Sequence, residues 1–104
     1  SPAIYLINII NKEGGNIKAY DPISNDNMKL IYPDIKYCSD WQGACKNADA
    51  VAVITEWNEF RSINLKVLSS LLRAPAVLDA RNIFDISKLQ ENNLTYRNFG
   101  RQRL

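Results

Sequence analysis

The stretch that most constrains this chain is Ala48–Arg61, Ala-Asp-Ala-Val-Ala-Val-Ile-Thr-Glu-Trp-Asn-Glu-Phe-Arg. Its first half, Ala50–Thr55, is an apolar run without proline or glycine. A run that short, rich in Val and Ile, reads as a strand buried on both faces. The next residues turn polar, Thr55-Glu56-Trp57-Asn58-Glu59, and lead into a helical pattern. One strand thus delivers a polar loop at its carboxyl end. In open parallel α/β sheets, ligands bind at that end.

The remaining totals narrow the class. A chain of 104 residues builds one domain with one modest core. The apolar fraction of 46% and the charged fraction of 23% are ordinary for a globular domain. A net charge of +2 makes no electrostatic case for nucleic acid or a membrane surface. Arg97, Arg101 and Arg103 read as a solvated tail, the alternative being contact with a neighbouring domain. No apolar run approaches the roughly 20 residues that span a bilayer, and no signal-peptide pattern is read. Two cysteines, Cys38 and Cys45, do not make a disulfide scaffold, which suggests the reducing cytoplasm. With no histidine, no catalytic triad, zinc-hydrolase site or histidine general base can be built from this chain alone.

In chain order, Ser1-Pro2 marks a helix start, with serine as cap and proline at the first helical position. Ala3, Leu6, Ile7 and Ile10 share one helical face, and Tyr5 and Ile9 widen the apolar arc, so a well-buried helix is expected. The rival reading is a strand through Ile4–Ile10. Gly14-Gly15 ends the element. Ile17–Tyr20 reads as a short strand closed by Asp21-Pro22. Ser24–Ile31 reads as a weak helix, Ile35–Tyr37 as a brief strand, and Asp40–Asn47 as a helix capped by Ser39 or Asp40. After the central strand, Phe60, Ile63, Val67, Leu68 and Leu71 share a helical face, with Asn64 placed to break and recap it. Ala74-Pro75 stops that helix. Ala76–Asp79 is a second buried strand, Ser87–Asn92 a short helix and Leu94–Phe99 a last strand. Alternating helices and strands are the pattern of a parallel sheet with helices on both faces, a three-layer Rossmann-like α/β domain.

Several residues invite a chemical reading. Asp21 ends an early strand, where a dinucleotide fold places its ribose-binding acid. The glycine-rich turn that must precede it is absent, so Asp21 reads as the opening of an Asp-Pro turn. Cys38 and Cys45 lack the tight spacing or further ligands of a metal or redox site and read as structural thiols. Glu56 and Glu59 flank Trp57 and could pair as carboxylates, but capping and helix-dipole roles are the default. Trp57 and Phe60 read as packing residues. Arg81 carries the most weight. It follows Ala76-Val77-Leu78 at the carboxyl end of that strand, and its donor fork suits phosphate or carboxylate. By the crevice rule it shares an end of the sheet with Thr55 and Glu56. The plainer alternative is a salt bridge to Asp79 or Asp85.

Five motifs then fall in register: Tyr20-Asp21-Pro22, Ala48-Asp49-Ala50, Thr55-Glu56-Trp57-x-Glu59-Phe60-Arg61, Asp79-x-Arg81-Asn82 and Asn98-x-Gly100-Arg101. Together they resemble the C-terminal UDP-binding domain of the UDP-glucose 6-dehydrogenase family, which includes the GDP-mannose and UDP-N-acetylhexosamine dehydrogenases. The likeness covers nearly the whole chain, so residues 1–104 are read as one nucleotide-sugar-binding domain. It implies a two-step, NAD-dependent oxidation of a UDP-sugar C6 alcohol to a carboxylate, UDP-glucose to UDP-glucuronate. The NAD-binding Rossmann domain and the nucleophilic cysteine belong to parts of the family outside this chain, and neither Cys38 nor Cys45 matches that cysteine. Arg81 is the one matched position to which the resemblance gives a substrate contact. A cytoplasmic homodimer is implied for the parent enzyme, and the chain alone is expected to be inactive.

The resemblance also implies that the family's first strand, which lies between Ile17–Tyr20 and Ala50–Thr55, precedes Ser1. Three arrangements are open: Ile17–Tyr20 pairs directly with Ala50–Thr55, Ile4–Ile10 becomes the strand, or a second copy fills the place. The first and third are favoured, since bare strand edges recruit partners. Two other functions compete with the family reading. One is a free-standing flavodoxin-like receiver using Asp21 and Thr55. The other is an interaction module with no ligand.

Overall fold

The computed structural model describes residues 2–22, 25–55 and 58–97, and divides into two compact units, Ser1–Ala44 and Cys45–Leu104. Expectations for Ser1, Ser24, Glu56, Trp57 and the segment from Asn98 to Leu104 lie outside the described residues.

In the first unit the helix reading of the N-terminal segment prevails over the strand reading: α1 runs over Pro2–Lys12. Its inward face is Ile7, 8% exposed, flanked by half-buried Ala3, Leu6 and Ile10. Tyr5 and Ile9 stand 62% and 41% exposed, so the wider apolar arc is not covered. At about 100° per residue the two lie about 160° around the helix from Ile7, and one covering layer reaches only one side. Gly14 turns the chain at φ +81°, and the Gly15 amide donates back to Ile10 O at 2.9 Å. A Cβ at Gly15 would meet Ile10 Cγ2 at 2.6 Å, so both glycines are needed to end the helix.

Strand β1 (Lys18–Ala19) and strand β2 (Lys36–Tyr37) pair in parallel, Lys18 with Lys36 and Ala19 with Tyr37. Both are shorter than the patterns Ile17–Tyr20 and Ile35–Tyr37 suggest. Pro22 offers no N–H to carry the ladder on. Between them lies α2 (Asn25–Ile31). The Tyr32 hydroxyl donates to Asn8 Oδ1 at 2.9 Å, and the Tyr37 hydroxyl donates to Tyr32 O at 2.8 Å. Burial, then the neighbouring Tyr32, pushes the Tyr37 hydroxyl above its ordinary pKa. Lys29 Nζ lies 5.7 Å from the centre of the Tyr37 ring, within cation–π range. Helix α3 (Trp41–Cys45) is capped by Asp40, whose Oδ1 accepts the Gly43 amide at 2.7 Å.

The second unit is a three-stranded parallel sheet, β3 (Ala50–Val53), β4 (Ala76–Asp79) and β5 (Thr95–Arg97), in spatial order β3-β4-β5. Register pairs Ala50 with Ala76 and Val53 with Asp79, then Ala76 with Thr95 and Leu78 with Arg97. Among the described residues the strands form two sheets, one in each unit, and neither contains the expected pairing of Ile17–Tyr20 with Ala50–Thr55. The crossovers carry α4 (Asn58–Arg61) and α5 (Leu65–Leu71), then α6 (Ile86–Glu91).

Both crossovers step the same way across the sheet. The right-handed rule then puts their helices on one face. That face holds the core: Val53, Val77 and Asp79 from the strands, with Phe60, Leu68, Ile83, Leu89 and Leu94. On the other face Ala50 and Ala52 are exposed and Leu78 is half-buried. The expectation of a central strand buried on both faces is thus corrected. β3 is covered on one face and is paired along one edge, by β4. Its apolar run reflects small alanines, not two buried sides.

Local signals place the helix ends. The expected break at Asn64 is present: its Oδ1 accepts the amides of Lys66 at 2.9 Å and Val67 at 3.2 Å. Asn64→Ala is expected to cost about 1 kcal/mol of stability, measured by urea denaturation, with Asn64→Asp retaining most of it. Asp85 caps α6 in the same way, and the Ser87 hydroxyl, then the Ser87 amide, hold its carboxyl below the ordinary carboxylate range. At the start of β3, Arg73 Nε donates to Asp49 Oδ1 at 2.6 Å, an exposed pair of little energetic weight.

Candidate functional site

The site builds up from the ends of β3 and β4. Val53 and Asp79 are opposite each other in register. Thr55 and Arg81 each follow by two residues, so they emerge at the same carboxyl end of the sheet, where the crevice rule puts a ligand. Thr55 is half-buried and Arg81 is exposed. Glu56 and Trp57, the rest of the polar loop after β3, lie outside the described residues.

The loop that carries Arg81 is held by a residue to which the sequence reading assigned only an ion pair. Asp79 is 1% exposed, the one buried charged side chain among the described residues. Its Oδ1 accepts the amide of Arg81 at 3.1 Å, and its Oδ2 accepts the amide of Phe84 at 2.8 Å. The Ala80 amide donates to Val53 O at 2.9 Å and ties the loop back to β3. Asn82 takes the left-handed conformation at φ 57°, a geometry asparagine tolerates better than most residues. Ile83, 8% exposed, plugs the loop into the core. In Asp79-x-Arg81-Asn82, then, the aspartate organises the backbone, the asparagine turns it, and the arginine is presented outward. The available signal was an aspartate at a strand end with free amides two and five residues on, the Asx-turn arrangement.

The other candidate residues fall elsewhere. Asp21 follows β1 in the first unit and is half-buried, whereas Thr55 and Arg81 belong to the second. Glu59 is exposed on α4, and its backbone carbonyl accepts the Ser62 hydroxyl at 3.1 Å. Phe60 is buried, as a packing residue should be. Cys38 is half-buried, Cys45 is buried, and neither is in a disulfide. Among the described residues no cluster of acids and cysteines could hold a metal ion. No helix among them is long and apolar enough to cross a membrane.

A dinucleotide needs a helix whose first amides cradle the pyrophosphate, reached through a glycine-rich turn. Gly14 and Gly15 close α1 instead of opening a helix. The described residues do not fit NAD.

Known proteins are similar along the same length. The model of the UDP-glucose/GDP-mannose dehydrogenase family, UDP binding domain, matches residues 1–86. The UDP-glucose 6-dehydrogenase of Rickettsia prowazekii (strain Madrid E) is 34% identical over 104 residues, 98% of this chain and 24% of that protein. That of Rhizobium meliloti (strain 1021) is 32% identical over 101 residues, 97% of this chain and 23% of that protein. UDP-glucose 6-dehydrogenase TuaD of Bacillus subtilis (strain 168) is 30% identical over 102 residues, 97% of this chain and 22% of its own length. The chain therefore spans about a quarter of the length of these relatives. A solved UDP-D-ManNAc dehydrogenase from Pyrococcus horikoshii shares the fold, with a TM-score of 0.55 at 18% identity, over 95% of this chain and 30% of that one.

Proposed function

This chain belongs to the UDP-glucose/GDP-mannose dehydrogenase family, whose UDP binding domain it matches, and from that membership we propose that it holds the nucleotide part of a UDP-sugar at the carboxyl end of β3 and β4. The parent activity in this reading is the NAD-dependent oxidation of UDP-glucose to UDP-glucuronate, in a cytoplasmic homodimeric enzyme. One observation carries the reading. Arg81 is exposed at the ligand end of a parallel sheet, on a loop whose backbone is pinned by buried Asp79.

The guanidinium donates charge-assisted hydrogen bonds to a phosphate or ribose oxygen. Because Asp79 and Ile83 already order the loop, little backbone freedom is left to lose on binding. NAD supplies the hydride acceptor of the parent reaction, and no residue of this chain is assigned to hold it. Neither cysteine is assigned a chemical role.

Calorimetric titration of the chain with UDP tests this. Saturable binding is expected, and Arg81→Ala weakens it about ten- to a hundredfold, the loss of one charge-assisted hydrogen bond. Equal affinity in the variant, with circular dichroism unchanged, would make Arg81 a loop residue only and overturn the assignment. Acetyl phosphate serves as the contrasting titrant, because a receiver would take up its phosphoryl group. The receiver alternative lacks support: Val53-Ile54-Thr55 closes β3 with no aspartate, and the buried Asp79 is engaged by two backbone amides.

A further inference from the structure

Four arginines lie among the described residues, and three of them have a polar or electrostatic partner: Arg73 through Asp49, and Arg61 and Arg81 through other contacts. Arg97 is the exception among the described residues, and it is exposed. It sits at the end of β5, the strand next to the one that carries Arg81. Its place in the sequence, ahead of Arg101 and Arg103, reads as part of a solvated tail. The ladder shows otherwise, because Leu78 pairs with Arg97 and Ala52 pairs with Leu78. Residues paired in a parallel ladder project from the same face. Arg97 therefore ends a row, Ala52-Leu78-Arg97, on the sheet face that the crossover helices leave open, one residue short of the ligand end.

Arg81 lies three residues beyond Leu78. With strands about 4.8 Å apart and a rise of about 3.3 Å per residue, the two arginine Cα atoms are no more than roughly 15 Å apart. Two arginine side chains span that separation around one diphosphate. A single guanidinium can grip one phosphate bidentately, and a second one on a neighbouring strand supplies a match for the next phosphate.

Resting on the UDP reading above, we infer that Arg97 is a second anion-binding residue of this site, and that the Arg81–Arg97 pair makes it selective for a nucleoside diphosphate over a monophosphate. The exposed methyl of Ala52 and the half-buried Leu78 leave the same row open beside it. A bulky residue at Ala52 would crowd that approach.

The test is calorimetric titration of the chain and of its Arg97→Ala and Arg97→Lys variants with UDP and with UMP. The chain is expected to prefer UDP. Arg97→Ala is expected to lower UDP affinity about tenfold and leave UMP affinity within twofold. Arg97→Lys is expected to recover part of the preference, since it restores charge without the fork. Arg97 is exposed, so unchanged circular dichroism is expected for both variants. If UDP fails to bind the unaltered chain, the UDP reading itself falls. If UDP binds and Arg81→Ala weakens it, while Arg97→Ala keeps the UDP-to-UMP ratio or lowers both affinities alike, the UDP reading stands and the role of Arg97 is overturned.

Discussion

Asp79→Ala is expected to lower the unfolding free energy of this chain by about 3 kcal/mol and to weaken UDP binding without touching the ligand. The carboxylate is 1% exposed and accepts two backbone amides, those of Arg81 and Phe84. Hydrogen bonds to a charged group contribute about 1.5–3 kcal/mol each, and a buried donor left without a partner costs about 1–3 kcal/mol. The two contributions overlap, because the loop relaxes and lets water reach at least one amide. Asp79→Asn separates the effects. An amide side chain keeps one accepting oxygen but turns an NH2 toward the other amide, so about half the loss is expected to remain. Urea denaturation measures both variants, with a shift in midpoint at constant slope marking a pure stability change. A loss below about 1 kcal/mol for Asp79→Ala would show that solvent satisfies the loop equally well. The binding loss follows from the geometry: the same two bonds set the backbone from which Arg81 projects.

Leu89→Ala is expected to cost about 2–5 kcal/mol. Leu89 is 0% exposed on α6, in the core it shares with Val77 and Leu94. Its removal takes away apolar burial and leaves a cavity that a rigid parallel sheet cannot close. Small domains have about 5–15 kcal/mol of stability in total, so this one change brings the chain near its folding limit. The melting temperature is expected to fall by about 4–8 °C for each kcal/mol. Ile86→Ala, three residues earlier on the same helix, is the control. Ile86 is 46% exposed, and its truncation is expected to stay within about 0.5 kcal/mol. Equal effects at the two positions would mean that α6 is not packed as described.

Much of the architecture was legible in the residues because it rests on short-range physics. The Pro2 start and the Gly14-Gly15 stop bracket α1 through φ restriction and left-handed freedom. Asn64 splits the helical run because its side chain competes for the next free amides. The β-branched run and the Ala74-Pro75 stop locate β3 and β4. The crevice rule needed only strand ends to bring Thr55 and Arg81 to one end of the sheet.

What the residues could not decide by themselves was which surfaces meet. Tyr5 and Ile9 looked buried because a periodicity records apolar character, not whether a covering layer is present on that side. Ala50–Thr55 looked two-sided because small alanines count as apolar whether or not anything packs on them. Two crossovers stepping the same way place both helices on one face, and handedness is a property of the whole connection. Asp79 looked like an ion-pair partner because the amides that donate to it come from the loop between β4 and α6, which the folded chain brings back to its carboxylate. Arg97 looked like tail because its neighbour in the ladder, Leu78, lies 19 residues away in the chain. Local propensity and capping act over about four residues and are written in the sequence. Register, crossover side and burial join residues far apart, and they exist only in the folded chain.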